Sequence, residues 1–234
     1  TTGLEPLHAG SAQVRRRMGL ALAEGIASLG ALDHVALGLE GLGKPDNYLE
    51  RQVARWGAQL ESYREHEGWP GPAAIPGVEA VGRWLDEHRP AGFKPGIIHG
   101  DYHLANVMYR HDSGELAAIV DWELTTIGDP LLDLGWLLAT WPDEDSAAIA
   151  GPLGVAGGLA TTDELVEVYA RDTARDLSAI HWYAVLACFK LGIVLEGTHA
   201  RAFAGKAPKE VGDLLHSITV GLFERAEGFR SARP

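Results

Sequence analysis

Ile97-Ile98-His99-Gly100-Asp101-Tyr102-His103-Leu104-Ala105-Asn106-Val107-Met108-Tyr109 opens a stretch that continues, past a polar turn, through Ala117-Ala118-Ile119-Val120-Asp121-Trp122-Glu123 to Gly128-Asp129-Pro130-Leu131-Leu132-Asp133. Its apolar runs are short and read as strands over Gly96–Ile98, Val107–Tyr109 and Leu116–Val120. The turn His111-Asp112-Ser113-Gly114-Glu115 joins the last two as a hairpin. Asp101 follows the first run, Asn106 directly precedes the second, and Asp121 ends the third. A loop and one hairpin are expected to bring all three to one edge of a small sheet. Such a sheet holds side chains with the rigidity that a catalytic constellation needs.

Outward from this stretch the apolar period becomes helical. Upstream, residues 1–10 read as an irregular tail or linker, and Ser11 as a helix N-cap. Val14, Met18, Leu22, Ile26 and Leu29 recur at helical spacing, which predicts a helix from Ala12 to about Leu32. Arg15, Arg16 and Arg17 near its start read as a solvated face. Gly38 to Lys44 matches G-x4-G-K. A phosphate-binding loop needs a preceding strand and a Ser or Thr after the Lys. Here Pro45 follows and a helical pattern precedes, so a turn into a helix with Pro45 near its first position explains the residues better. Further helices are expected at Asn47 to about Glu67 and at Val78–His88, with a Gly/Pro-rich loop from Gly68 to Pro76 between them.

Downstream, a loop is expected from Asp121 to Gly128. Asp129-Pro130 then reads as N-cap and first position of a helix that runs to about Thr140 and stops at Trp141-Pro142. Asp143 to Gly158, with four glycines, reads as a lid or linker. Helices follow at Thr162–Asp172, Leu177–Ala204 and Lys209–Glu227. The fold class is therefore α+β and mostly α: residues 11–234 form a helical domain with a small β-hairpin insert that carries the reactive loop.

Composition narrows the function. A chain of 234 residues, 46% hydrophobic, buries a sizeable core. A net charge of -12 argues against a nucleic-acid partner; it reads first as an ordinary acidic surface and second as an attraction for a cationic substrate. Cys188 is the single cysteine, which leaves no intrachain disulfide or cysteine metal cluster, and its apolar helical setting suggests a buried, inert thiol. The most apolar run, Trp182 to Leu195, is interrupted by Lys190, so no membrane span is expected. Without a signal pattern at the N-terminus, a cytoplasmic location is the simplest expectation. The oligomeric state is not legible.

His99-Gly100-Asp101-x4-Asn106 has the H-x-D-x4-N spacing of a phosphoryl-transfer loop. That chemistry needs a positioned acceptor, Mg2+ and neutralised phosphate charge. Asp101 is the candidate catalytic carboxylate beside the acceptor hydroxyl. Asn106 and Asp121 offer the hard oxygen ligands that Mg2+ prefers. His99 is better suited to orient the loop than to act as base. Asp129 reads as a cap. Asp133, four residues on, shares its helix face and could bind backbone amides of the loop. Glu123 could lie near metal or substrate, or simply at the surface.

These motifs together resemble the aminoglycoside phosphotransferase/choline kinase family, which shares the protein-kinase-like fold. The matching residues are His99 to Asn106, Ile119-Val120-Asp121-Trp122-Glu123 and Gly128 to Leu134. Asp-Trp-Glu followed by Leu-Thr-Thr-Ile-Gly-Asp-Pro-Leu-Leu-Asp-Leu is most similar to the branch of kinase-like domains fused to acyl-CoA dehydrogenases. The likeness extends through Asn47 to Gln52 and through Trp182 to Gly205. It implies Asp101 as catalytic aspartate, Asn106 and Asp121 as Mg2+ ligands, Asp133 as a structural tie, and ATP as phosphoryl donor to a small hydroxylated substrate. It also implies a substrate site on the helices after Asp133, with Glu164, Trp182, Tyr183 and Glu196 as candidates beside His103 and Glu123. Trp182 and Tyr183 would equally suit a core.

The family pattern also requires a strand lysine in an N-terminal lobe. The lysines here are Lys44, Lys94, Lys190, Lys206 and Lys209, none in a strand pattern upstream of the loop. Residues 11–234 are thus expected to be the helical C-terminal lobe, with the N-terminal kinase lobe a missing partner and weak activity alone. Two other readings compete. His99, Asp101 and His103 could form the metal site of a hydrolase, or the chain could be a non-catalytic, pseudokinase-like binding module.

Overall fold

The computed structural model describes residues 3–143 and 151–231. In chain order the elements are helices α1 (Pro6–Gly10), α2 (Ala12–Ala31), α3 (Glu50–Ser62) and α4 (Val78–Glu87); strands β1 (Gly96–Ile98), β2 (Val107–Tyr109), β3 (Leu116–Ile119) and β4 (Thr126–Gly128); and helices α5 (Leu131–Thr140), α6 (Gly151–Ala156), α7 (Thr162–Arg171), α8 (Ile180–Phe203) and α9 (Lys209–Ser231). They divide into two compact units, one of residues 1–45 and 94–177 and one of residues 46–93 and 178–234. The mostly helical α+β class is as the sequence implies.

The first unit is built on α2. Ser11 Oγ accepts from Val14 N at 3.3 Å and caps it. Met18, Leu22, Ile26 and Leu29 lie along one buried stripe, and α2 packs on α1, α5, α7, β1 and β3. The small sheet is in fact two separate antiparallel pairs. β2 and β3 form the expected hairpin, Val107 opposite Ile119. β1 pairs instead with β4, Ile97 opposite Ile127. β4 lies where a loop was expected. Three residues carry too little periodicity to announce a strand, and β4 exists because β1, about thirty residues earlier in the chain, supplies its partner. Leu29, Ile97 and Ile127 close a small core over which Leu39 packs.

Three further expectations are corrected in this unit. Residues 6–10 are helical rather than irregular, and His8 is buried, its Nε2 within 2.9 Å of Ser113 O. Arg15 belongs to no solvated face. It is buried, and its guanidinium donates to the carbonyls of Gly157, His8 (2.9 Å) and Ala9 (2.8 Å). Its neighbours are engaged too: Arg16 pairs with Glu164, and Arg17 with Glu24 and Glu115, both at 2.6 Å. Of the expected lid, residues 144–150 lie outside the described residues, and Gly151–Ala156 is the short helix α6 with Leu153 buried. The Gly38–Lys44 segment is no phosphate loop. It makes a 3-10 turn at Glu40–Leu42 that packs on β4, where a Cβ on Gly43 would lie 2.6 Å from Ile127 N.

The second unit is a helical hairpin, α8 against α9, with α3 and α4 packed on α8. α3 starts at Glu50, three residues later than the sequence suggests, because Asn47 takes a left-handed backbone (φ 53°) that a helix cannot use. Among the described residues, α8 alone is long and apolar enough, by length and composition, to cross a membrane. However, 72% of its apolar window is buried by the protein itself, which makes it a core helix. Phe189 meets Phe223 edge-on at 6.1 Å, and Thr219 Oγ1 donates to Gly192 O at 3.1 Å. Cys188 is fully buried, and desolvation pushes its thiol up to about 12, as expected of an inert thiol.

Arg15 makes a sharp test of the first unit. Truncating it leaves three carbonyls without a charged donor, so Arg15→Ala should destabilise by about 2–4 kcal/mol. Thermal unfolding followed by circular dichroism should show a Tm several degrees lower, while Arg16→Ala, at an exposed pair, leaves it nearly unchanged.

Candidate active site

All the chemistry-bearing residues of the central stretch fall in the first unit. β1 delivers the chain to His99, where it turns sharply. Gly100 has φ 90°, and a Cβ there would stand 2.5 Å from Leu124 O, so only glycine fits. The turn is held from below by the buried Asp133, on the first turn of α5. Its Oδ2 accepts from His99 N at 2.6 Å and its Oδ1 from Gly100 N at 2.9 Å. A carboxylate receiving two backbone N–H groups is a strong, charge-assisted clamp.

His99 is fully buried and uses both ring nitrogens. Nδ1 accepts from Asp101 N at 3.3 Å, and Nε2 donates to Val120 O at 2.8 Å. One imidazole thus ties the backbone of Asp101 to the residue just before Asp121. This bears on the hydrolase reading: with neither nitrogen available, His99 is no metal ligand, and the His99-Asp101-His103 triplet does not form a ligand set.

The loop continues through a 3-10 turn at Leu104–Asn106, capped by His103, whose Nδ1 accepts from Ala105 N at 3.2 Å. Asn106 is buried. Its Nδ2 donates to Asp101 O and to Asp101 Oδ2, both at 2.9 Å, which leaves Oδ1 for another partner. Val120 N donates to Asn106 O at 3.0 Å. Together with the Val107–Ile119 register, that bond sets Asn106 and Asp121 at the same end of the β2–β3 hairpin. Asp121 is exposed and has a left-handed backbone, φ 67°. A non-glycine residue held there is strained, and such strain concentrates at functional sites. Glu123 is exposed on the 3-10 turn that follows, Trp122–Leu124. Tyr102, which the motif reading passed over, is buried beneath the loop, and its hydroxyl donates to Leu22 O at 3.0 Å. The buried Asp129 Oδ1 accepts from Leu131 N at 3.1 Å, but α5 begins one residue later than the sequence suggests, so Pro130 and not Asp129 stands at its cap.

Electrostatically, Asp101 is kept ionised. His103 Nε2 lies 3.4 Å from its Oδ1, and that interaction is the largest cause holding the carboxyl below the usual aspartate range, with the Asn106 amide adding to it against partial burial.

The four helix residues proposed for substrate have other surroundings. Glu164 closes a capping box at α7, accepting from Thr161 N at 2.8 Å, and its pairing with Arg16 lowers its pKa. Trp182 and Tyr183 are buried in the second unit, where Trp182 Nε1 donates to Leu85 O at 2.9 Å. Glu196 is fully buried there, and its carboxylate accepts from Trp69 Nε1 at 2.8 Å. Packing along α8, rather than a cleft, accounts for these three.

A mostly helical chain whose β-hairpin presents an aspartate, an asparagine and a second aspartate in this order has a kinase-like phosphotransferase fold. The chain belongs to the phosphotransferase enzyme family, whose family model matches residues 1–174. It is 26% identical over 247 residues to acyl-CoA dehydrogenase family member 10 of Mus musculus, covering 97% of this chain but only about a fifth (21%) of that protein. Among solved structures it superposes on a provisionally named aminoglycoside phosphotransferase from Ralstonia eutropha JMP134 with TM-score 0.77 and 26% identity, covering 96% of this chain and 68% of that one. It also shares the fold of aminoglycoside 2'-phosphotransferase-IIIa in its GDP complex, at TM-score 0.59 and 14% identity, with 98% and 68% covered. The branch and fold that the central motifs imply are therefore those found.

Two predictions follow from this geometry. Asp133→Asn keeps the shape but offers one acceptor where two N–H groups point, and turns an amide donor on the other. It should cost about 2–3 kcal/mol in chemical denaturation, with chemical-shift changes centred on His99 and Gly100. The second concerns pH. The folded pKa of Asp101 lies below its unfolded value, so its ionisation stabilises the fold above the unfolded value, and that contribution is lost as pH falls through the folded one. His103→Ala should move the carboxyl titration of Asp101, followed by NMR, up towards the ordinary aspartate value. An unmoved midpoint would mean that His103 is not what depresses it.

Proposed function

We propose that this chain carries the acceptor and magnesium side of an ATP-dependent phosphotransferase that moves the γ-phosphoryl group onto a hydroxyl of a small molecule. One observation carries the reading. Asn106 holds the Asp101 carboxylate through Nδ2 and keeps its Oδ1 open, while Asp121 sits exposed at the same end of the hairpin. This donor set, an amide oxygen and a carboxylate with no nitrogen or sulfur ligand, suits Mg2+.

In this reading Asn106 Oδ1 and the Asp121 carboxylate would hold Mg2+, which when bound neutralises charge on the transferred phosphoryl group. Asp101 orients the acceptor hydroxyl and receives its proton as the O–P bond forms. Its carboxyl, held below the usual aspartate range by His103, is available as an acceptor. Its basicity is correspondingly modest, which suits a loose transition state in which proton transfer comes late. Asp133 and His99 touch neither reactant and act by positioning the loop. The GDP bound by the 2'-phosphotransferase supports a nucleotide donor of this class. The acidic surface, net charge -12, supports a small hydroxylated substrate that carries an amine.

The test is a screen of hydroxylated metabolites and amines coupled to ADP release, run on the longest natural form of the protein. Asp101→Asn should lower kcat about 100- to 10,000-fold and leave Mg-ATP affinity nearly unchanged, whereas Asp121→Asn should weaken Mg-ATP binding itself. A protein whose function survives Asp101→Asn intact would be a binding module and not a kinase. Mg-ATP titrated into the 234-residue chain alone is expected to bind more weakly than micromolar.

A further inference from the structure

Glu196 looked like a substrate contact in the sequence and is a fully buried carboxylate in the structure. Its surroundings are unusual. One turn further along α8, His199 brings Nδ1 to 2.8 Å from Glu196 Oε1. From α9, His216 brings Nδ1 to 2.7 Å from Oε2. The two imidazole rings stack, with centroids 4.3 Å apart and planes 28° from parallel. The helices come this close because Gly212 has no side chain: a Cβ there would lie 2.6 Å from Ala202 Cβ and 3.3 Å from His199 Cα.

Among the described residues, the ion-pair partners of Glu196 are these two imidazoles, with no lysine or arginine. A carboxylate and two imidazoles converging between two packed helices form a compact polar cluster inside an otherwise apolar hairpin. The three side chains offer one ligand atom each, all within 4.8 Å of one another. A Glu-x-x-His pair on one helix with a third ligand from its neighbour is how helical bundles place metals in their cores. Two nitrogens and one carboxylate oxygen are the ligand set of a zinc-class site with one open position.

We propose that Glu196, His199 and His216 bind a divalent transition-metal ion, with Zn2+ the best fit to the ligands. Metal–ligand bonds near 2.0–2.1 Å in a tetrahedron separate the donor atoms by about 3.4 Å. The present 2.7–2.8 Å contacts therefore open slightly as the ion replaces the bridging hydrogens. Each neutral imidazole then carries its proton on Nε2 and presents the Nδ1 lone pair, and any second ring proton leaves to solvent. The supporting groups are in place. Trp69 Nε1 donates to Glu196 Oε1 at 2.8 Å, and Asp213, paired with Lys209, has its Oδ1 4.0 Å from His199 Nε2, close enough to take that N–H after a small shift. His216, its side chain 25% exposed, provides the entry side. This site is separate in its residues from those assigned to phosphoryl transfer and does not depend on that assignment.

The experiment is calorimetric titration of Zn2+ into the full chain after EDTA treatment, in excess Mg2+ to occupy carboxylate sites. One equivalent should bind. His216→Ala should weaken it by more than about 100-fold and Asp213→Asn by about 10-fold, while His111→Ala, at an exposed histidine elsewhere, changes nothing. Co2+ in place of Zn2+ should give the visible d–d bands of a tetrahedral site in the wild type. His216→Gln, which keeps an N–H donor to Glu196 and so preserves the fold, should abolish them. Equal Zn2+ isotherms for wild type and a folded His216 variant, or d–d bands that survive His216→Gln, would overturn the proposal and leave the cluster a hydrogen-bond network.

Discussion

The Asp133 carboxylate bridging the amides of His99 and Gly100 is the contact on which the rest of the site depends. Gly100 can turn as it does only because it lacks a side chain, and the turn aims the amides of His99 and Gly100 at one point. Left unpaired, each would cost about 1–3 kcal/mol. The first turn of α5 answers them with a carboxylate. The same event that starts α5 therefore fixes where β1 ends and where Asp101 begins.

From that anchor the site is a short chain of dependencies. Asp133 holds the backbone of His99. His99, through its two ring nitrogens, holds the Asp101 amide and the Val120 carbonyl. Asn106 holds the Asp101 carboxylate and, through its own carbonyl, the amide of Val120. Three segments far apart in the chain meet with hardly any regular sheet between them. The two strand pairs are three or four residues long, and side-chain bonds supply the rigidity that a larger sheet would give. Tyr102 reaching α2 and the 3-10 turn behind β4 complete the support from the flanking elements.

Much of this was legible beforehand, and the failures have a common cause. The long helices α2, α8 and α9 announce themselves by apolar period, because each buries a face over many turns. The hairpin announces itself by a polar turn between two apolar runs. β4 did not, because three residues become a strand only when a distant partner bonds to them. Arg15 read as one of three solvated arginines, since a charge run carries no sign of which member lies under another helix. Glu196 and Trp182 read as candidates for a substrate because the residue type, and not its depth, was visible. His99 was expected to orient the loop, and it does, but its bond to Val120 could not be inferred from spacing.

Residue identity alone determined the chemistry: an aspartate, an asparagine and a second aspartate at set intervals are hard oxygen groups at the ends of short apolar runs, and their types restrict what they can bind. Spacing along the chain also determined which helices form, since amphipathic period is a local property. Tertiary structure decided which polar groups are available. Burial and pairing turned Asp133 and His99 inward, tied Glu164 to Arg16 and the start of α7, left Asp121 exposed on a strained backbone, and gathered Glu196, His199 and His216 around one point. Those outcomes depend on contacts between residues remote in sequence, where the cost of leaving a donor or a charge unpaired away from water selects the arrangement.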